Sequence, residues 1–66
     1  SGSSKNVNTF ALELKTVIEQ YEKRLSDVNV TMAYIREVRK IVITIKGVIS
    51  HTGVSYQYVT ELKTWN

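Results

Sequence analysis

The sequence predicts an all-α protein in which a long N-terminal helix is followed by a unit of three shorter helices. Three observations support this fold class. Residues 8–27 space their apolar side chains by three and four positions, residues 30–42 repeat that spacing, and residues 44–66 combine a glycine with further spaced apolar side chains. Apolar residues at such intervals share one face of a helix.

The chain has 66 residues, which is enough for one small domain. Residues 1–4, SGSS, look like the remnant of a cleaved tag, so we expect the domain to comprise residues 5–66. A domain of this size buries only about 60% of its unfolded surface, and a partner subunit would add stability. There are no cysteines and no apolar run near the roughly 18 residues that a membrane span needs. We expect a cytoplasmic protein.

The first predicted helix covers residues 8–27. Phe10, Leu14, Val17 and Tyr21 follow a 4-3-4 spacing, which suits packing between helices. This helix either folds back over the core as a fourth helix or pairs with its symmetry mate. We favour the second alternative and expect a homodimer through the N-terminal helix.

The middle of the chain allows two interpretations. Tyr34, Ile35, Val38, Ile41 and Val42 form a helical stripe, but the stretch IVITI at 41–45 is entirely β-branched and favours a strand. A hairpin would have to turn at 46–47, and Lys-Gly is not a preferred two-residue turn. A lone hairpin is also marginally stable. The sequence therefore favours a helix, a break at 43–44, and a new short helix capped by Thr44.

Residues 45–65, IKGVISHTGVSYQYVTELKTW, resemble the helix-turn-helix family. Gly53 would take the left-handed conformation and reverse the chain between two helices, Val54 would fill the gap between them, and Ser55 would cap the second helix. Val59 and Leu62 would hold that helix against the first. The resemblance implies a helix-turn-helix unit over residues 30–66, like the three-helix core of winged-helix proteins with the wing absent. The bulky Ile49 departs from the family, which usually has a small residue there.

The resemblance also implies a function, which is sequence-specific binding of double-stranded DNA by a small transcriptional regulator. Such a protein would be associated with the nucleoid. In this family the second helix enters the major groove, so Gln57 would contact an adenine, Thr60 a thymine methyl and Glu61 a cytosine amine. The full set of predicted DNA-binding residues is Lys46, Ser55, Tyr56, Gln57, Thr60, Glu61, Lys63 and Thr64.

The charge distribution agrees with an anionic partner. Residues 1–30 are neutral overall, so the net charge of +3 lies entirely in residues 31–66. Two alternatives stay open, a helical protein-interaction module and a purely structural oligomerisation segment, neither of which binds DNA. His51 is the only histidine, and no nucleophile elbow or phosphate loop is present. We expect no enzymatic activity, catalytic residue, metal, cofactor or small-molecule substrate.

Overall fold

The computed structural model describes residues 2–65, with side chains from residue 7 onward. One α-helix, α1 (Gly2–Tyr21), precedes three strands, β1 (Leu25–Ile35), β2 (Lys40–Ile49) and β3 (Val54–Lys63), and a short 3-10 helix (Arg36–Val38) connects β1 to β2. The protein is therefore α+β, and the predicted all-α class is wrong. The predicted tag remnant includes Ser1, which lies outside the described residues, and three helical residues whose side chains are not described.

The N-terminal helix is confirmed as an element, but both predicted bounds are wrong, because the helix covers Gly2–Tyr21 and not residues 8–27. The last helical bond runs from the Glu22 amide to the Ile18 carbonyl at 2.7 Å. Glu22 then accepts two bonds from the Arg24 guanidinium, at 2.7 and 2.8 Å, which fixes the short connection to β1. Leu25, predicted on the helix, instead begins β1.

The three strands form one antiparallel sheet in the order β1-β2-β3. Its register places Val30 beside Ile45 and Met32 beside Ile43, and β-branched residues fit such a pleated surface well. Alternation along a strand has a period of two, so Ile41, Ile43 and Ile45 share one face. This strand pairing replaces the predicted helix over 30–42 and the predicted short helix after Thr44.

The turn between β2 and β3 explains why the helix-turn-helix interpretation is wrong. Gly53 does adopt the expected left-handed conformation, with φ of 74°. It closes a hairpin loop over residues 50–53, in which its amide donates to the Ile49 carbonyl at 2.7 Å. Val54 and Ser55 then continue as strand, so Ser55 caps no helix.

The core is small and lies between α1 and one side of the sheet, which we call the helix face. Helix α1 packs mainly against β1. Among the described residues no large side chain is fully buried. The buried apolar residues are Ala11, Val28, Val30 and Ile43, with Leu14, Ile18, Leu25, Met32, Ile41 and Ile45 packed around them.

Candidate functional site

Strand pairing divides the predicted DNA-binding residues between two surfaces. Lys46 pairs with Gln57 across β2 and β3, and Val48 pairs with Ser55. The alternation places Lys46, Ser55, Gln57, Glu61 and Lys63 on the side of the sheet away from α1, which we call the open face. Six of the eight residues lie on β3, and no helix carries any of the eight.

The other three predicted residues lie elsewhere. Tyr56 and Thr60 point to the helix face, since Tyr56 pairs with Gly47 and Thr60 with Ile43. Thr64 follows β3, and its amide and hydroxyl both donate to the Arg39 carbonyl, at 2.8 and 3.1 Å. The predicted reading surface along one side of a helix is therefore wrong, because a strand separates its members.

The open face is mainly polar, with a few alanine, valine and isoleucine side chains, and its lysines outnumber its carboxylates. Lys40, Lys46 and Lys63 lie on it with two carboxylates. Glu61 forms an ion pair with Lys40 at 3.1 Å, and Asp27 lines a groove with Lys46 and Gln57. The face also presents amides and hydroxyls, and no tyrosine of the described chain lies on it. The remaining uncharged polar residues of the face are Ser26, Asn29, Thr31, Thr44, Ser55 and Gln57.

Strand β3 exposes a second, apolar surface on the helix face, which sequence reasoning missed. Because α1 packs mainly against β1, the β3 residues that point to the helix side stay substantially solvent-exposed. Tyr58 is 50% exposed, although it sits beside the half-buried Ile45. We call this surface the apolar strip, and its members are Val54, Tyr56, Tyr58 and Leu62.

One flank of α1 faces the apolar strip. On the opposite flank, Asn8 and Leu12 line a groove with Thr31, and Thr31 points to the open face of β1. That groove therefore lies at the outer edge of β1. At about 100° per residue, Phe10, Val17 and Tyr21 lie on the other side of the helix from Leu12. These three exposed side chains, which we call the helix flank, point towards β2 and β3.

A second groove confirms how the helix lies over the sheet. Glu22 and Arg24, just after α1, line a groove with Leu25, Ile49 and Tyr56. The C-terminal end of α1 thus reaches the beginning of the apolar strip. Helix flank and apolar strip therefore lie on the same side of the sheet.

The edge of β3 is also uncovered. In the strand order β1-β2-β3, β3 has a neighbour on one side only. Along its outer side, a ten-residue strand presents backbone N–H and C=O groups that make no bond within the sheet. Face and edge of the same strand are therefore both open to a partner.

The most perturbed titratable group of the described residues is Glu22, in the groove at the beginning of the apolar strip. The hydrogen bond from the Arg24 side chain lowers the pKa of Glu22 from 4.5 to about 2. Both residues belong to the connection between α1 and β1. Since a paired arginine explains this shift, we interpret the pair as structural.

Comparison of the chain with protein-family models, with curated proteins and with solved structures finds no match. Within the described residues, no helix has both the length and the apolar character needed to cross a membrane. The same part of the chain contains no group of three or more His, Cys, Asp or Glu side chains that could hold a metal.

Proposed function

We propose that the protein is an association module and that a protein partner binds it along β3. The observation that carries this proposal is that β3 is uncovered on two sides, its apolar face and its outer edge. In the described part of the chain, α1 packs mainly against β1 and leaves the apolar face of β3 substantially exposed, and no strand pairs with the outer edge of β3. Partners that add a strand to a sheet gain backbone hydrogen bonds at the edge and side-chain contacts on the face.

The exposed apolar area supports the same proposal. An aromatic side chain carries about 150–250 Å², so the half-exposed side chains of apolar strip and helix flank sum to the order of 600 Å². Apolar patches larger than a few hundred Å² mark interaction sites in small proteins. A standard interface buries about 800 Å² on each partner. The apolar strip, the helix flank and the outer edge of β3 together approach that area.

The test uses a photo-crosslinking side chain introduced at position 58 or at position 12. Leu12 is a matched control because it is exposed, at 66%, but lies on the other flank of α1. We expect irradiation in a cell extract to give discrete protein adducts at 58, with the chain itself or another protein. Adducts at 58 no stronger than those at 12 would contradict the proposal.

A second variant pair tests the face of β3 directly. Tyr58 and Val59 are equally exposed, at 50 and 51%, on opposite faces of the strand. Tyr58→Thr removes a ring from the apolar strip and should weaken the association by about tenfold or more. Val59→Thr keeps the volume and the β-branched shape that suits a strand, so it should weaken the association far less than Tyr58→Thr does. Equal losses in both variants would exclude the apolar strip as the contact.

We also infer a second candidate function, the binding of duplex DNA by the open face. The lysines of this face support it, since Lys40, Lys46 and Lys63 lie there. The half of the sequence that supplies β2 and β3 also carries the net charge of +3, part of it from Arg36 and Arg39 between β1 and β2. The major groove admits a two-stranded β-ribbon, and β2 and β3, which carry Lys40, Lys46 and Lys63, are the two strands that would enter it. The absence of tyrosines from the described open face disfavours single strands, which bind by stacking.

Fluorescence anisotropy with random duplex DNA tests this second candidate. Changing Lys46 and Lys63 together to Gln should reduce the slope of log affinity against log salt by about 2. The matched control changes Lys15 and Lys23, which belong to α1 and its end, and should keep the slope. Binding with an unchanged slope in the first variant would exclude the open face.

A further inference from the structure

We infer that the partner at β3 is a second copy of this chain, joined by antiparallel pairing of the two β3 strands across a two-fold axis. The inference rests on the proposed function and names its partner. The pair would form one six-stranded sheet, with both helices on the same side.

The two edges of the sheet differ in a way that selects β3. Strand β1 is interrupted by a bulge, where the register shifts between Ser26 and Asn29 and Asp27 takes a φ of 52°. Bulges and covering side chains protect an edge from further pairing. On β3 the register runs without interruption from Val54 to Lys63, and the chain contains no proline. Strand β3 therefore keeps a regular edge that another strand can extend.

The charges of β3 allow it to pair with itself. A two-fold axis through Val59 pairs nine residues and keeps each side chain opposite one on the same face. Glu61 then lies opposite Gln57 of the second copy, and Lys63 lies opposite Ser55 of the second copy. This register places no like charges directly opposite each other, and such pairs of like charges would destabilise the two strands.

The same register covers much of the apolar strip. Tyr56 would lie opposite Leu62 of the second copy, and Tyr58 opposite Thr60 of the second copy. Opposite side chains in such pairs are about 5 Å apart at Cβ. The two Tyr58 side chains would become diagonal neighbours beside the axis. The apolar strip, which is exposed in one copy, is thereby partly covered by the second copy.

Disulfide crosslinking of the full chain tests this arrangement. Val59→Cys should form a disulfide-linked dimer under mild oxidation, because the register brings its two copies together. Val17→Cys, on the helix flank and equally exposed at 49%, should remain largely unlinked. The chain contains no natural cysteine, so each variant carries one thiol. Preferential linkage at position 17 would indicate pairing through α1 and overturn the inference.

Sedimentation equilibrium supplies a measurement independent of crosslinking. The unmodified chain should be dimeric at high micromolar concentration, and Val59→Lys should raise the dissociation constant by about tenfold or more by opposing two cations at the axis. A chain that stays monomeric overturns the inference. If it is monomeric and still gives adducts at 58 with another protein, the proposed function stands alone. If those adducts are also absent, both fail.

Discussion

Ile43→Ala is the substitution for which the sheet and the helical interpretation differ most. Ile43 lies on the central strand, is only 7% exposed, and pairs with Met32 and Thr60. Under the helical interpretation it would stand just outside the start of a short helix, where its loss costs little.

The magnitude follows from the burial of the side chain. The change removes three buried carbon groups, each worth about 0.8 kcal/mol, and the cavity left behind adds to that loss. We therefore expect a loss of about 2.5–4 kcal/mol in the free energy of unfolding. A chain of this length has a total of only about 3–10 kcal/mol, so Ile43→Ala should lose a large fraction of the total stability.

Urea unfolding followed by far-ultraviolet circular dichroism measures this loss. With a slope of about 1 kcal/mol per M, the midpoint should fall by about 2 M or more. Leu12→Ala is the control, because its exposed side chain should change stability by less than about 0.5 kcal/mol. Protein concentration has to be held constant, since association stabilises the folded state. A loss below about 1 kcal/mol for Ile43→Ala would refute the core described above.

Three further predictions concern the connections and the C-terminal end. Gly53→Ala should destabilise the protein by about 1 kcal/mol, because alanine is strained at a φ of 74°. The loss should not be larger, since no atom lies within 4 Å of the new methyl group. An unchanged urea midpoint would contradict this. The lowered pKa of Glu22 stabilises the fold above pH 4.5, and this contribution disappears as the pH falls towards about 2. The stability difference between the unmodified chain and Glu22→Gln should therefore shrink across that interval, and a difference independent of pH would contradict the pairing with Arg24. Trp65 is 90% exposed, so its fluorescence maximum should hardly move on unfolding at low concentration, whereas a large red shift would indicate that the ring packs against the protein.

The sequence predicted the N-terminal helix because its apolar spacing of three and four has no competing pattern there. The prediction from sequence failed over β1 and β2, because the apolar residues there fit both the period of a strand and the period of a helix. Val28, Val30 and Met32 alternate as in a strand, but the cluster around Val38 also fits a helical stripe. Only pairing between strands decides between these patterns, and the residues that pair are distant in sequence.

The candidate site was partly visible in the sequence. Val54, Tyr56 and Tyr58 alternate with polar Ser55 and Gln57, which is a period of two. We interpreted the stretch as a helix because a glycine followed by Val-Ser also occurs in helix-turn-helix proteins. The left-handed conformation of Gly53 was predicted correctly, while its place in a hairpin was not. Nothing local could show that α1 covers β1 and leaves β3 bare, because that depends on how the layers pack.

The two proposals constrain each other. A six-stranded sheet would be about 24 Å wide between its outer axes, which exceeds the width of a major groove. Dimerisation through β3 and insertion of the open face into DNA therefore compete. Duplex binding that weakens as the protein concentration rises would reveal this competition.

Amide hydrogen exchange along β3, measured at several protein concentrations, tests the central claim most directly. Amides that bond to β2 should be protected at every concentration and should alternate with amides on the open edge. The open-edge amides should exchange rapidly in dilute solution and slow down as a second copy pairs with them. Protection of consecutive amides would indicate a helix instead of a strand. Open-edge amides that exchange equally fast at all concentrations would contradict the pairing of β3 with a second copy.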